Sequence, residues 1–250
     1  MSMEDNDAVT YQSADRIATI RLNRPASRNR LDHDIVAGLE AAWRRFSSSD
    51  DLVAVLAAAG DKAFTVGANL NDIPHDLYRA IPGVGVPVDK PIVAAVRGWC
   101  VGGGMVLTTM CDLLVAAEST MFSYPEVKVG FSGGLISNLA TRIPHKVAME
   151  LLLIGEPMDV QRAYEVGYVN RTTADGAEEA AAHEMAVKIR DAAPLPVQML
   201  KRFANAALPK GPSETAAIAR VQVDHVNTSA DGNEGMAAFR EKRPPVFKGY

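Results

Sequence analysis

Over the first 174 residues the apolar positions fall into short strand-length runs, broken by turns and by one clear helical period. Val9 to Gln12 and Ile17 to Leu22 read as two strands of a hairpin, and Asn23, Arg24 and Pro25 end the second as a turn. Ile35, Leu39, Trp43 and Phe46 recur on one helical face behind Asp32, whose carboxylate can accept from the N–H groups of a first turn. A helix from Asp32 to about Phe46 follows. Leu52 to Ala58 is continuously apolar, the pattern of a strand covered on both faces. Gly60, Asp61 and Lys62 then turn the chain into a short segment, Ala63 to Val66. After Gly67 and Ala68, the stretch Asn69 to Asp72 can open a helix. Ile73 to Val88 carries three prolines and two glycines, which predicts an irregular or partly mobile loop.

The stretch from Lys90 to Gly134 organises the rest. An apolar strand, Ile92 to Val96, is entered through Pro91, and a turn ends in Gly102, Gly103 and Gly104. A short apolar helix, about Met105 to Met110, follows, then a buried strand, Leu113 to Ala117. An exposed-looking loop carries Tyr124, Pro125 and Glu126. Strand, glycine turn, helix and strand in so short a span is α/β architecture. Glycines at a helix start leave free N–H groups open to close approach, and such a terminus holds an anion, including one present only in a transition state. Tight packing explains the same glycines equally well at this point.

Beyond Gly134 helices dominate. Leu135 to Arg142 and Val147 to Ile154 are helical in period, Asp159 can cap Val160 to Val166, and Tyr168 to Arg171 reads as a last short strand. Only helices are expected afterwards: Ala177 to Asp191, Val197 to Ala206, Ser213 to His225 and Gly235 to Lys242, separated by Pro194, Pro196, Pro209 and Pro212. The chain divides on this reading into an α/β core over residues 1–174 and a helical region over 175–250.

Composition narrows the function classes. At 250 residues, 48% hydrophobic and 22% charged, the chain can bury a sizeable core. A net charge of −4 gives no nucleic-acid surface. No apolar run reaches bilayer-spanning length, so no membrane is expected, and the opening MSMEDNDAV has no basic-then-apolar leader. Cys100 and Cys111 sit in apolar segments without C-x-x-C spacing, as reduced core residues of a cytoplasmic protein would. The five histidines show no ligand spacing, and no metal is expected. Trp99, Met105 and Met110 read as core residues, and Asp112 as a cap or turn residue.

Taken in order, A-F-T-V-G-A-N at Ala63 to Asn69, K-P-I-V-A-A-V-x-G from Lys90, G-G-G, C-D and P-E resemble the crotonase family (enoyl-CoA hydratase/isomerase). LNRPASRNRLD near the start and EGMAAFREKRPPVFKG near the end extend the resemblance over nearly the whole chain. It implies a spiral of ββα units followed by a C-terminal helical trimerisation region, assembled as a trimer or a hexamer of two trimers. It also implies an acyl-CoA thioester substrate, with no cofactor beyond the coenzyme A of that substrate. The family's chemistry passes through a thioester enolate held by two backbone N–H groups, which by position are those of Ala68 and Gly103. Its proton carriers are commonly two glutamates. The P-E position is Glu126 here, whereas the other, two residues past the glycine turn, is Val106, which carries no proton. For coenzyme A the resemblance points to Arg28 or Arg30 near the phosphates and the Val66 backbone near adenine. Phe239 and Lys242 on the last helix would reach a neighbouring subunit's ligand.

A single carboxylate suffices to carry a proton between C4 and C2, so the missing partner favours Δ3–Δ2 isomerisation of an enoyl-CoA over hydration. Hydration and other crotonase-type acyl-CoA reactions stay open. Tyr124, Ser132, Ser137 and Asn138 are candidates to lend a hydroxyl or amide to the acyl pocket, and the Ile73 to Val88 loop is expected to shape it. Two readings from other classes compete. A degenerate member would bind acyl-CoA without turnover. Alternatively, Gly130-Phe131-Ser132-Gly133-Gly134 matches the G-x-S-x-G elbow of serine hydrolases, which needs a strand before it.

Overall fold

A computed structural model of the chain describes residues 7–250; the acidic opening, residues 1–6, lies outside them. The hairpin is β1 (Val9–Ala14) with β2 (Ile17–Leu22), joined through Asp15 and Arg16, both at positive φ, the turn whose twist matches that of its strands. Then come α1 (His33–Ser48), β3 (Val53–Ala58), β4 (Ala63–Thr65) and a 3-10 turn at Leu77–Ala80. The next units are β5 (Ile92–Val96), β6 (Trp99–Val101) and α2 (Gly103–Thr109), then β7 (Leu113–Ala117), β8 (Met121–Ser123) and α3 (Glu126–Val129). A 3-10 helix at Leu135–Thr141 leads into α4 (His145–Ile154), β9 (Met158–Asp159), α5 (Val160–Glu165) and β10 (Arg171–Thr173). Four helices follow: α6 (Glu178–Arg190), α7 (Pro194–Ala207), α8 (Pro212–Asn227) and α9 (Ala230–Glu241).

The strands divide between two sheets. One has six strands in the order β1-β2-β3-β5-β7-β10, the other four in the order β4-β6-β8-β9. Each successive turn of the chain gives one strand to the first sheet and the next to the second, so β3 and β4, β5 and β6, and β7 and β8 are the rungs of a spiral. The neighbours β2, β3, β5 and β7 run parallel. Their side chains explain the continuous apolar runs. In β3, Ala54 and Leu56 face the main core, while Val53, Val55 and Ala57 face a second apolar cluster. Strand periodicity sends alternate residues to opposite faces, and both faces here are covered.

That second cluster is closed by α6. Ala181, Ala182 and Ala186 lie against Val53, Val55, Val93 and Val115, small residues that let the helix approach the sheet closely. The first of the four tail helices is thus part of the sheet's packing, and only α7 to α9 lie beyond it.

Asp32 caps α1 by accepting from Ile35 N at 3.0 Å, and Ile35, Leu39, Trp43 and Phe46 are buried as its period requires. Asp159 caps α5 through Arg162 N at 2.7 Å. Asp112 is a structural residue, accepting from Ile92 N at 2.7 Å and from Lys201 at 2.8 Å, which ties α7 to the edge of β5.

Several expectations need correction. Asn69 to Asp72 opens no helix, because the Asn69 side chain accepts from Asn71 N and its carbonyl from Asp72 N, closing a local turn instead. The Ile73 to Val88 loop is irregular as expected, apart from its 3-10 turn, but it is packed: Ala80, Ile81, Val84, Val86 and Val88 are buried, and Trp43 Nε1 donates to Ala80 O at 2.8 Å. β6 and β8 lie in segments read as turn and loop. The pleat of β6 buries Cys100 and turns Trp99 outward, 43% exposed and so not a core residue. Met110 is half-buried. Tyr124, expected on an exposed loop, is buried. The last strand falls three residues later than read, at Arg171–Thr173, because Tyr168 instead buries its hydroxyl against Thr108 and Thr109.

Candidate active site

The two glycine turns meet. Gly67 (φ +84°) and Gly102 (φ +55°) adopt backbone that side-chain-bearing residues rarely take. A Cβ on Gly67 would stand 3.0 Å from Val101 O and 3.7 Å from Gly102 Cα, so the two main chains are in direct contact. The residues that follow, Ala68 and Gly103, therefore leave one junction side by side. Leu31 bonds to either side of Ala68, donating to Gly67 O at 2.8 Å and accepting from Asn69 N at 3.0 Å. That leaves the Ala68 N–H outside the ladder. Gly103 opens α2, where an N–H has no acceptor within the helix. Gly104 answers a different need: a Cβ there would clash with Thr65 and crowd Cys100. The glycine run thus serves backbone conformation at Gly102 and close packing at Gly104.

Both N–H-bearing residues line a cavity of about 370 Å³, together with Val106, Tyr124 and Glu126. Its other walls are mostly apolar, with His75 and Ser213 as polar members. Ile73, Pro74, Leu77 and Tyr78 come from the long loop, Phe131 and Leu135 from the segment after α3, and Ala216 and Ala217 from α8. The prediction that the loop shapes the pocket holds for Ile73 to Tyr78. The wall from α8 was not visible in the sequence, because Ser213, Ala216 and Ala217 carry no signal beyond that of an ordinary helix. Asp224 anchors that helix by accepting from Arg79 at 2.6 Å and from Tyr78 at 3.4 Å.

Glu126 begins α3, and Oε1 of its half-buried carboxyl lies 3.3 Å from where a Cβ on Gly102 would stand. Its Oε2 accepts the Tyr124 hydroxyl. Burial raises its pKa above the ordinary glutamate value; hydrogen bonds from Tyr124, Gly133 N and Ser132 oppose the rise without cancelling it. Tyr124 is pushed well above the usual phenol range by its own burial and by the carboxylate beside it. Val106, the position of the second glutamate in the resembled pattern, is buried on the cavity wall. Among the described residues, Glu126 is the one carboxylate lining this cavity.

The remaining candidates are dispersed. Ser132 is exposed, within 3.3 Å of the Tyr124 hydroxyl, and accepts from Gly134 N. The segment before it is the α3 helix ending in a left-handed Gly130, not a strand, so the hydrolase elbow is absent. Asn138 is buried away from the cavity, donating to Glu214 and accepting from Gly211 N to seat the start of α8. Ser137 also points away from the cavity and lies against Gly211. Neither lines this cavity. Arg28 sits in a left-handed turn whose carbonyl accepts from Val66 N at 3.2 Å, and with Lys62 it lines a separate hollow of about 310 Å³. Arg30 is exposed. Phe239 projects from α9, 83% exposed, and Lys242 is the left-handed cap of that helix. Cys100 and Cys111 are buried and unpaired, and burial pushes the Cys100 thiol up to about 12. Among the described residues no cluster of three or more His, Cys, Asp or Glu is placed to hold a metal, and no helix is long and apolar enough to cross a membrane.

Comparison with known proteins gives the family of this fold. The sequence profile described as enoyl-CoA hydratase/isomerase matches residues 12–250. The (E)-benzylidenesuccinyl-CoA hydratase of Thauera aromatica is 33% identical over 96% of this chain and 99% of its own length. The carnitinyl-CoA dehydratase of Citrobacter koseri is 32% identical over 93% of this chain and 95% of its own. Among solved structures, the carnitinyl-CoA hydratase of Mycobacterium avium superposes with a TM-score of 0.76 at 33% identity, covering 98% of this chain and 99% of that one. The enoyl-CoA hydratase of Mycobacterium tuberculosis H37Rv superposes at 0.75 and 32% identity, covering 98% and 100%. With its spiral of paired strands and a match over nearly its whole length, the chain belongs to the enoyl-CoA hydratase/isomerase family of crotonase-fold enzymes.

Proposed function

We propose that the enzyme moves a proton on an unsaturated acyl-CoA thioester, with Δ3–Δ2 isomerisation as its principal reaction. The observation that carries this reading is the lone carboxylate: Glu126 faces the junction of the glycine turns, and Val106 stands where a second acid would be. The thioester oxygen sits between the N–H groups of Ala68 and Gly103. As Glu126 takes a proton from C2 of a 3-enoyl thioester, charge moves onto that oxygen, and the two donors stabilise the enolate more than the neutral substrate. One such donor is typically worth ~3–4 kcal/mol in the transition state. Glu126 then returns the proton to C4, and the double bond has moved into conjugation. A carboxyl with a raised pKa suits both halves of this transfer.

Hydration is the second reading, favoured by relatives named as hydratases and dehydratases. In that case Glu126 serves water activation and carbon protonation in turn. The coenzyme A portion lies along Arg28, Arg30 and the Val66 backbone, with Phe239 and Lys242 reaching from a neighbouring copy; no cofactor beyond that coenzyme A takes part. The exposed Leu195, Leu200 and Phe203 of α7 support assembly through the helical region into a trimer or dimer of trimers. The unpaired thiols accord with a cytoplasmic location.

Incubation with panels of 2-enoyl- and 3-enoyl-CoA, following double-bond position by absorbance and hydration by mass, tests the reading. Conversion of 3-enoyl to 2-enoyl thioesters faster than addition of water supports isomerisation, and water addition alone supports the hydratase. Tight acyl-CoA binding without turnover of any thioester would leave a binding protein.

A further inference from the structure

We propose that Tyr124 is the positioning residue of this site: its hydroxyl holds Oε2 of Glu126 and leaves Oε1 alone to face the substrate carbons. The proposal rests on the reading of Glu126 as the proton carrier. Its geometry comes from three facts. The two carboxyl oxygens have different surroundings, Oε2 taking the tyrosine hydroxyl and Oε1 lying beside the Gly102 turn. The tyrosine ring is buried, 3% exposed, at the end of β8, so its hydroxyl has a fixed origin. Pro125, between the two residues, fixes the backbone at φ −84°, and the Glu126 carbonyl is itself pinned by Gly130 N and by Phe131 N at 3.2 Å.

A phenylalanine would fill the same space but would leave the half-buried carboxylate without this donor. The hydroxyl therefore has a task other than packing. A carboxylate free to rotate about its last torsion presents either oxygen, with broad preference. Anchoring Oε2 leaves Oε1 to take the proton at C2 and return it at C4. Val106 offers no second acid on the cavity wall, and of the groups that hydrogen-bond the Glu126 carboxyl (Tyr124, Gly133 N and Ser132) Tyr124 is the buried side chain. The titratable groups lining the cavity around Glu126 are Tyr124, Tyr78 and His75; of these, Tyr124 is the one hydrogen-bonded to it.

The test uses the full chain carrying carboxyl-¹³C glutamate, with the Glu126 resonance assigned by its loss in Glu126→Gln. Tyr124→Phe removes one oxygen atom and keeps the ring. Loss of a donor to the charged form is expected to raise the Glu126 titration midpoint by about one pH unit. With the enoyl-CoA that the wild type turns over, kcat is expected to fall at least ~10-fold while KM stays within about twofold, and the acid limb of the pH profile to move up with the midpoint. An unchanged midpoint, or a KM effect with kcat intact, overturns the proposal. Should Tyr124→Phe not fold, 3-fluorotyrosine at position 124, a more acidic donor, is expected to lower the Glu126 midpoint, and an unmoved midpoint overturns the proposal. If the wild type turns over no enoyl-CoA, the catalytic reading fails by itself, while the titration still decides whether Tyr124 holds Glu126.

Discussion

A methyl group on Gly102 would stand 3.3 Å from Oε1 of Glu126. The pair links the glycine turn to the acid, because the same backbone kink that exposes the Gly103 N–H makes room for the carboxyl. Gly102→Ala is therefore expected to act twice. The left-handed backbone at φ +55° costs about 1–3 kcal/mol of stability, visible in a denaturant melt. The displaced carboxyl costs at least ~10-fold in kcat for the enoyl-CoA turned over, since small misplacements of a reacting group are expensive.

The raised pKa of Glu126 has a definite sign in stability. Between the unfolded glutamate pKa and the higher folded one, the native state binds more protons than the unfolded chain. Stability contributed by this group is thus full at acid pH and is lost as pH rises through the folded pKa. Glu126→Gln is expected to melt above wild type at about pH 8 and to match it at about pH 4, below both pKa values. Calorimetric melts of both proteins at the two pH values check this. For the reaction the direction reverses: the base must be ionised, so kcat/KM is expected to fall as pH drops through the same raised pKa.

Val106→Glu returns a second carboxylate to the cavity wall. Burying that group is expected to destabilise the fold by about 1–3 kcal/mol, and hydration of 2-enoyl-CoA is expected to rise relative to isomerisation. The ratio of hydrated to isomerised product by mass spectrometry reads the effect.

Asp224→Ala removes the acceptor that joins α8 to Arg79 and Tyr78 on the pocket loop. The ion pair is partly exposed, so a stability loss of about 1 kcal/mol is expected, with faster hydrogen exchange in α8. Because Ala216 and Ala217 wall the acyl cavity, KM is expected to rise several-fold with kcat little changed.

Much of this was legible in residue order. The Asp32 cap, the doubly buried β3 and the glycine turns followed from local chemistry, and the family resemblance carried by the motif order pointed to Ala68, Gly103 and Glu126, which line one cavity. What escaped was set by tertiary contact. The three-residue strands β6 and β8 are too short for periodicity to register, and they exist because β4, β6 and β8 pair with one another. Tyr124 gave no sign of its burial, since its neighbours Pro125 and Glu126 are loop-forming residues. The pocket wall on α8 depends on Asn138 and Asp224 seating a helix remote in sequence, which no local pattern encodes.

The central claim is that Glu126 moves a proton at the carbon next to a thioester held by two backbone amides. Exchange of that α-proton with deuterated water, followed by NMR on a saturated acyl-CoA that cannot isomerise or hydrate, tests it most directly. Wild type is expected to exchange the proton, and Glu126→Gln to do so at least ~100-fold more slowly while still binding the thioester. Exchange at the wild-type rate in Glu126→Gln, or none in the wild type, contradicts it.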